Sequence, residues 1–333
     1  VVQHFGSGYN QEGSKIMVNF VICNSEAIFG SSARRSCDHL SDQDYLIVDD
    51  NHQRRRDRKR SLEQSGWSVA AYTWSRLERL VDTGALFAQH LKQEALITTD
   101  YNNRLKETLS KFNPKPSYQD DFDQTCRLII AVTSNVTTLE ERNWCFDVLA
   151  VAVRNAGVLA LADHGLYEFS YEKIIQTLGH IRQLTDNDIR RLLSLRKYKA
   201  GYRAGHKTQN ISDDMFQRMC VSISKLTQGH HFSDHPKRSI FTYDNSQDIY
   251  LKSRLVEKDM LHLTPLFAVD QEEFNAVTSS ITKAVVLPRD YLWQFSKENS
   301  PVENSMRWLQ KNTIEIIGCN PASVYGLQAR SPI

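Results

Sequence analysis

No two of the six cysteines, Cys23, Cys37, Cys126, Cys145, Cys220 and Cys319, form a CxxC pair. That argues against a zinc ribbon or a dense disulfide scaffold and leaves reduced thiols as the reading. An excess of one charge is also lacking. With 41 Lys and Arg against 39 Asp and Glu, the formal net charge is +2, so no chain-wide basic field marks a nucleic-acid binder and charge has to be read locally. No long uninterrupted apolar run occurs: the most apolar stretch, 146–162, is broken by Asp147, Arg154 and Asn155, and the opening VVQHFGSGYN holds no apolar leader segment. These absences predict neither a membrane span nor a secretion signal, and hence a cytoplasmic chain. With no repeat period and no low-complexity tract in the 333 residues, solenoids and collagen-like arrays are set aside.

What is present divides into three textures. From about residue 16 to 100, short apolar runs alternate with helix-period segments, the pattern of a small α/β unit. SEAIFG (25–30), DQDYLIV (42–48) and WSVAAYT (67–73) read as strands, and SSARRSCDHL (31–40) as a short helix between the first two. Leu77, Leu80, Val81, Gly84, Phe87, Ala88 and Leu91 recur at helical spacing, which predicts one amphipathic helix over 75–94 packed on the sheet. KFNPKPSYQDD (111–121) has two prolines and no periodicity and reads as a linker. Beyond it come a helix over 139–162, a DHG turn, a helix capped by Ser170 and a third opened by TDND. The expected architecture is α+β: a core over 1–110 with a mixed sheet, a helical bundle over 118–226 and a mixed C-terminal region, 227–333, of unassigned type.

The chemistry concentrates in FGSSARRSCDHLSDQDYLIVDD (29–50). Side chains two apart on a strand share a face, so Asp42 and Asp44 present paired carboxylates, a hard-oxygen set suited to magnesium. Gly30 permits close backbone approach to a ligand, Ser31 opens the expected helix where free N–H groups favour phosphate, and Arg34 and Arg35 add charged donors. The pairs Asp121/Asp123 and Asp186/Asp188 share the DxD spacing but fall at linker and helix-cap positions, where local backbone bonding explains them.

GSSARR followed by SDQDYLIV resembles the Gly-Ser and Asp-x-Asp signature of the DNA polymerase β-like nucleotidyltransferases, closest to the minimal and aminoglycoside-type branches. The resemblance implies that Gly30, Ser31 and Ser32, with Arg34 and Arg35, hold the triphosphate of ATP or another NTP. It implies that Asp42 and Asp44 bind Mg2+ and carry catalysis. The implied reaction moves a nucleoside monophosphate, AMP above all, to a hydroxyl of a small molecule, a protein or an RNA, with release of pyrophosphate. The family normally has a third carboxylate on the next core strand, and here Ala70 or Ala71 stands in its place. Glu78, Asp49 and Asp50 are the candidate substitutes. A second reading is therefore a degenerate module that holds a nucleotide or a partner protein without turnover.

Other polar clusters have plainer readings. Six basic residues in HQRRRDRKR (52–60) read first as a solvated helix face and second as a contact for RNA or an acidic partner. The basic residues Arg196, Lys197, Lys199, Arg203, His206 and Lys207 complement a helix C-terminus. His230, His231, Asp234 and His235 lie in a Gly- and Pro-flanked loop whose spacing presets no metal geometry.

Overall fold

The computed structural model describes residues 6–9, 15–18, 24–34, 43–204 and 210–228, with Arg254 and Lys258. The chain divides into two compact units, Val1–Ser117 and Tyr118–Ile333, and the division falls inside the stretch read as a linker. The fold is mixed α and β, with the sheets in the first unit and helical bundle packing in the second.

In the first unit β1 (Gly6–Tyr9) and β2 (Lys15–Val18) form an antiparallel hairpin. The main sheet has the order β5-β4-β3-β6, built from β3 (Ser25–Phe29), β4 (Asp44–Val48), β5 (Ser68–Tyr72) and β6 (Leu96–Asp100). β3 is antiparallel to β4 and to β6, while β4 and β5 are parallel. That parallel pair requires a crossover, which α1 (His52–Gln64) supplies.

Alternation along the strands sends the two sets of side chains to different helices. Ala27, Phe29, Leu46 and Val48 pack on α2 (Trp74–Asp82), α3 (Leu86–Glu94) and α4 (Arg104–Ser110) through Trp74, Leu77, Val81, Leu91, Leu105 and Leu109. Tyr45 and Ile47 face Leu62 of α1, with Ile28, Trp67, Val69 and Ala71 around them. Polar groups fasten α1 further. Arg58 bonds both oxygens of buried Glu26, which also accepts from the Tyr45 hydroxyl at 2.6 Å.

The single helix expected over 75–94 is two helices. The break is at Gly84, whose φ of +64° is left-handed backbone that helix α2 cannot continue through. The stripe of apolar residues survives the break because α2 and α3 both pack on the same sheet face. Sequence periodicity sees the stripe and not the turn. β6 also escapes the sequence reading, since LITTD is only five residues long and four of them are exposed on the sheet edge. Residues 30–34 form a turn, and the remainder of the helix expected over 31–40 lies outside the described residues.

In the second unit α5 (Gln119–Thr133) starts within the supposed linker. The long α6 (Leu139–Asp163) follows, opened by a Thr138/Glu141 capping box. α7 (Tyr171–Ile181) follows the cap residue Ser170, α8 (Asp186–Arg203) opens with a Thr185/Asp188 capping box, and α9 (Asp213–Leu226) ends where the bundle was expected to end. Among the described residues α6 alone is long and apolar enough to cross a bilayer, yet 72% of its most apolar window is buried inside the protein. It is the packing centre of the bundle, touching α5, α7 and α8. The C-terminal region assigned to 227–333, including the helix expected near 301–311, lies almost wholly outside the described residues.

Two predictions follow from this packing. A Cβ at Gly84 meets the Lys115 backbone nitrogen at 2.9 Å and the Asn113 carbonyl at 3.0 Å. Gly84→Ala should therefore cost roughly 1–3 kcal/mol in urea denaturation. Asp188 is buried and accepts from Lys225 at 2.8 Å, Ser222 at 2.8 Å and Thr185 at 2.8 Å. Burial alone raises its carboxyl, but these bonds outweigh it and hold the group well below the ordinary range. A depressed folded value means stability that is complete above the unfolded value, about 3.9, and is lost as pH falls through the folded one. Asp188→Asn should cost roughly 1–3 kcal/mol at neutral pH. Thermal melts should show the gap from wild type narrowing below about pH 4.

Candidate active site at the Gly30 turn

The register of two strands brings the Gly-Ser turn and the second aspartate together. Phe29, the last residue of β3, is paired with Asp44, the first of β4. Gly30 therefore leaves the sheet beside the Asp44 carboxylate. Its φ is +69°, and a Cβ on it would lie 2.8 Å from Asp44 Oδ2. Two independent constraints thus require glycine: the left-handed backbone and the space the carboxylate occupies. The turn closes with a bond from the Arg34 amide to the Gly30 carbonyl at 3.1 Å. Ser31, Ser32 and Arg34 are half-buried in it.

Of the residues expected to form the site, Gly30, Ser31, Ser32, Arg34 and Asp44 gather at this end of the sheet. Asp42 and Arg35 lie outside the described residues. Among the described residues no group of three or more His, Cys, Asp or Glu side chains is placed to hold a metal ion.

The two alanines that the resemblance sets where a third carboxylate would stand lie on opposite sides of the sheet. Ser68 is paired with Asp44, and Ala70 packs on the same side of the sheet as Leu46. Ala71 points to the α1 side, so it is not where an acid would stand. Neither Asp49 nor Asp50 can replace it. Both lie past the other end of β4, roughly 16 Å along the strand from Asp44, and both are structural. Asp49 is buried, accepts from Arg54 at 2.8 and 3.0 Å and receives the Asn51 amide. Asp50 receives the Trp74 amide that opens α2, at 2.9 Å. Glu78 pairs with Arg104 at 3.0 Å, where that guanidinium lies over the Trp74 ring.

The sequence reading missed Glu94 and His90. Glu94 ends α3 just before β6, whose first residue Leu96 is paired with Ile28, so it arrives at the same end of the sheet as Gly30. Its carboxylate is 7% exposed and pairs with Arg34 and, at 2.8 Å, with His90 Nε2. Burial pulls the Glu94 carboxyl upward, but the His90 and Arg34 bonds and charges outweigh it and leave it lowered. A signal existed: Phe87, His90, Leu91 and Glu94 stand at i, i+3, i+4 and i+7, so two polar groups sit on the buried stripe.

The remaining polar clusters serve the fold. In α1, Arg54 and Arg55 bond Asp49, Arg58 bonds Glu26, and Lys59 pairs with Glu63, while Arg56 and Arg60 face solvent. Arg203 of α8 bonds buried Asp147 at 2.7 Å. His206, Lys207 and the histidines at 230, 231 and 235 with Asp234 lie outside the described residues. Cys126 and Cys220 are buried and their thiols are pushed up to about 12 by that burial, with Asp123 adding to the rise at Cys126. They stay protonated and unreactive at neutral pH.

A scan of protein-family models finds no match to this chain, and a search of curated proteins finds none either.

The Gly30–Asp44 contact yields a direct test. Gly30→Ala should destabilise the protein by roughly 1–3 kcal/mol. Adding Asp44→Ala should recover the steric part of that loss while leaving the φ strain. A double-mutant cycle in urea should thus give a coupling of about 0.5 kcal/mol or more.

Proposed function

We propose that the chain is a magnesium-dependent nucleotidyltransferase of cytoplasmic type, moving a nucleoside monophosphate, AMP above all, from an NTP to an acceptor hydroxyl with release of pyrophosphate. The observation that carries this reading is the close approach of the Gly30 turn to Asp44 at one end of a mixed four-stranded sheet. A phosphate-accepting turn and a carboxylate within contact distance are the minimum that a metal-bridged triphosphate requires.

The donor set fits a hard cation. Asp44 supplies a carboxylate and the adjoining Ser31 and Ser32 supply hydroxyls, while no cysteine is present in the turn. Magnesium takes one or two protein carboxylates and completes its shell with water and phosphate oxygens. Bound there, it would supply charge neutralisation and orientation of the triphosphate. The chain's own residues do the rest. Backbone N–H groups of 30–32 take phosphate oxygens, and Arg34 offsets their charge. The acceptor oxygen forms a bond to the α-phosphorus as the bond to the pyrophosphate oxygen breaks, and the acceptor's proton passes to a base or to solvent.

One observation favours the second reading, a module that holds nucleotide without turnover. The β5 positions that share a side with Asp44 are Ser68, Ala70 and Tyr72, and none of them carries a carboxylate.

The deciding experiment measures pyrophosphate release from each of four labelled NTPs with magnesium, using cell extract as the acceptor source. The proposed transferase should release pyrophosphate, and Asp44→Asn should lower the rate at least 100-fold with the fold intact by circular dichroism. Magnesium-dependent NTP binding without release supports the holding module. Neither binding nor release would sink both readings.

A further inference from the structure

We propose that Glu94, backed by His90, is a positioning residue that holds the Arg34 guanidinium in the orientation needed to receive a phosphate group of the bound nucleotide. This rests on the nucleotide-binding reading above and extends it to residues that the Gly-Ser and DxD signature does not contain.

The geometry begins with a buried donor. Arg34 is anchored in the turn by its amide bond to Gly30, and a terminal nitrogen of its guanidinium pairs with Glu94 Oε2. Its Nε is buried and has no hydrogen-bond partner among the described residues. A buried N–H without an acceptor is costly and rare in native proteins, so this one calls for an explanation. The guanidinium is a rigid planar fork, so fixing one terminal nitrogen fixes the direction of the remaining donors. A phosphate offers only acceptor oxygens and matches that fork.

Glu94 is itself held. Its Oε2 accepts from both Arg34 and His90, and the His90 ring meets Phe29 edge-on at 5.5 Å, with Phe87 edge-on to Phe29 at 5.6 Å. The carboxylate and the imidazole are 7% and 8% exposed, whereas the Arg34 side chain is 23% exposed. The acid and the imidazole are thus packed away while the arginine retains access. Glu94 acts through Arg34 and does not itself reach for the ligand.

The test titrates the full chain with MgATP by calorimetry. Glu94→Gln keeps the shape and removes the charge, and it should weaken Kd about tenfold or more, as should Arg34→Lys, which loses the fork. The double variant should bind no more weakly than Arg34→Lys alone, a non-additivity that a merely structural role would not give. Glu94→Asp keeps the charge while moving it, and should also weaken binding, which covers the case where Glu94→Gln fails to fold. Unchanged Kd in a folded Glu94→Gln would overturn the inference alone, as would additive losses in the double variant. Unchanged Kd with pyrophosphate release lost would overturn it too, making Glu94 the base. Absence of MgATP binding by the wild type overturns this inference together with the nucleotide reading.

Discussion

The pairing of Phe29 with Asp44 is the constraint from which the candidate site follows. An antiparallel register is a whole-strand property: a slip of one residue would reverse every side chain and exchange the two cores. The register is fixed by packing on both faces, through Phe29, Leu46 and Val48 on one side and Tyr45 and Ile47 on the other. Gly30 then leaves the sheet beside the carboxylate because there is nowhere else for it to go. The close approach at the site is therefore a consequence of hydrophobic burial along the strands, and the left-handed glycine is the local adjustment that makes it possible.

Two ion pairs of the first unit hold α1 to the sheet. Arg58 reaches Glu26 and Arg54 reaches Asp49, in both cases from a half-exposed helix residue to a buried carboxylate. Removing either arginine would strand an acid in the interior, which is why these pairs matter more than ordinary surface ion pairs. The consequence for function is negative. The run of six basic residues, read first as a solvated helix face and second as a contact for RNA or an acidic partner, sends Arg54, Arg55 and Arg58 to Asp49 and Glu26 and leaves Arg56 and Arg60 exposed.

The sequence makes legible what is locally encoded. β3, β5, the cap at Thr185 and the end of the bundle at Leu226 all follow from alternation, cap residues and periodicity. Gly84 misleads because helical spacing continues across a turn when both helices pack on one face. β6 is hidden because an exposed edge strand has no alternation to display. Glu94 is hidden for a different reason. Its partner Arg34 is 60 residues away, and the local signal, His90 and Glu94 standing on the buried stripe, marks two polar groups without saying what they meet. Third-strand chemistry lies between these cases: the sequence narrows it to Ala70 or Ala71, and only the parallel register separates them.

The neutral β5 positions bear on how this end of the sheet treats a polyanion. An acid at Ser68 or Ala70 would add a negative charge on the side of the sheet where Asp44 stands, and a triphosphate would then bind only with full compensation by cations. With Ser68 there, that repulsion is absent, and the buried Glu94 is already balanced by Arg34 and His90. On the proposed reading, neutral β5 positions suit holding a nucleotide better than taking a proton from an acceptor. For the proposed transferase the acceptor's proton would then pass to solvent, and catalysis would rest on positioning and charge neutralisation, the terms that dominate phosphoryl transfer generally. The two proposed readings consequently share one binding geometry and differ in whether an acceptor oxygen, relieved of its proton, goes on to displace pyrophosphate from the α-phosphorus.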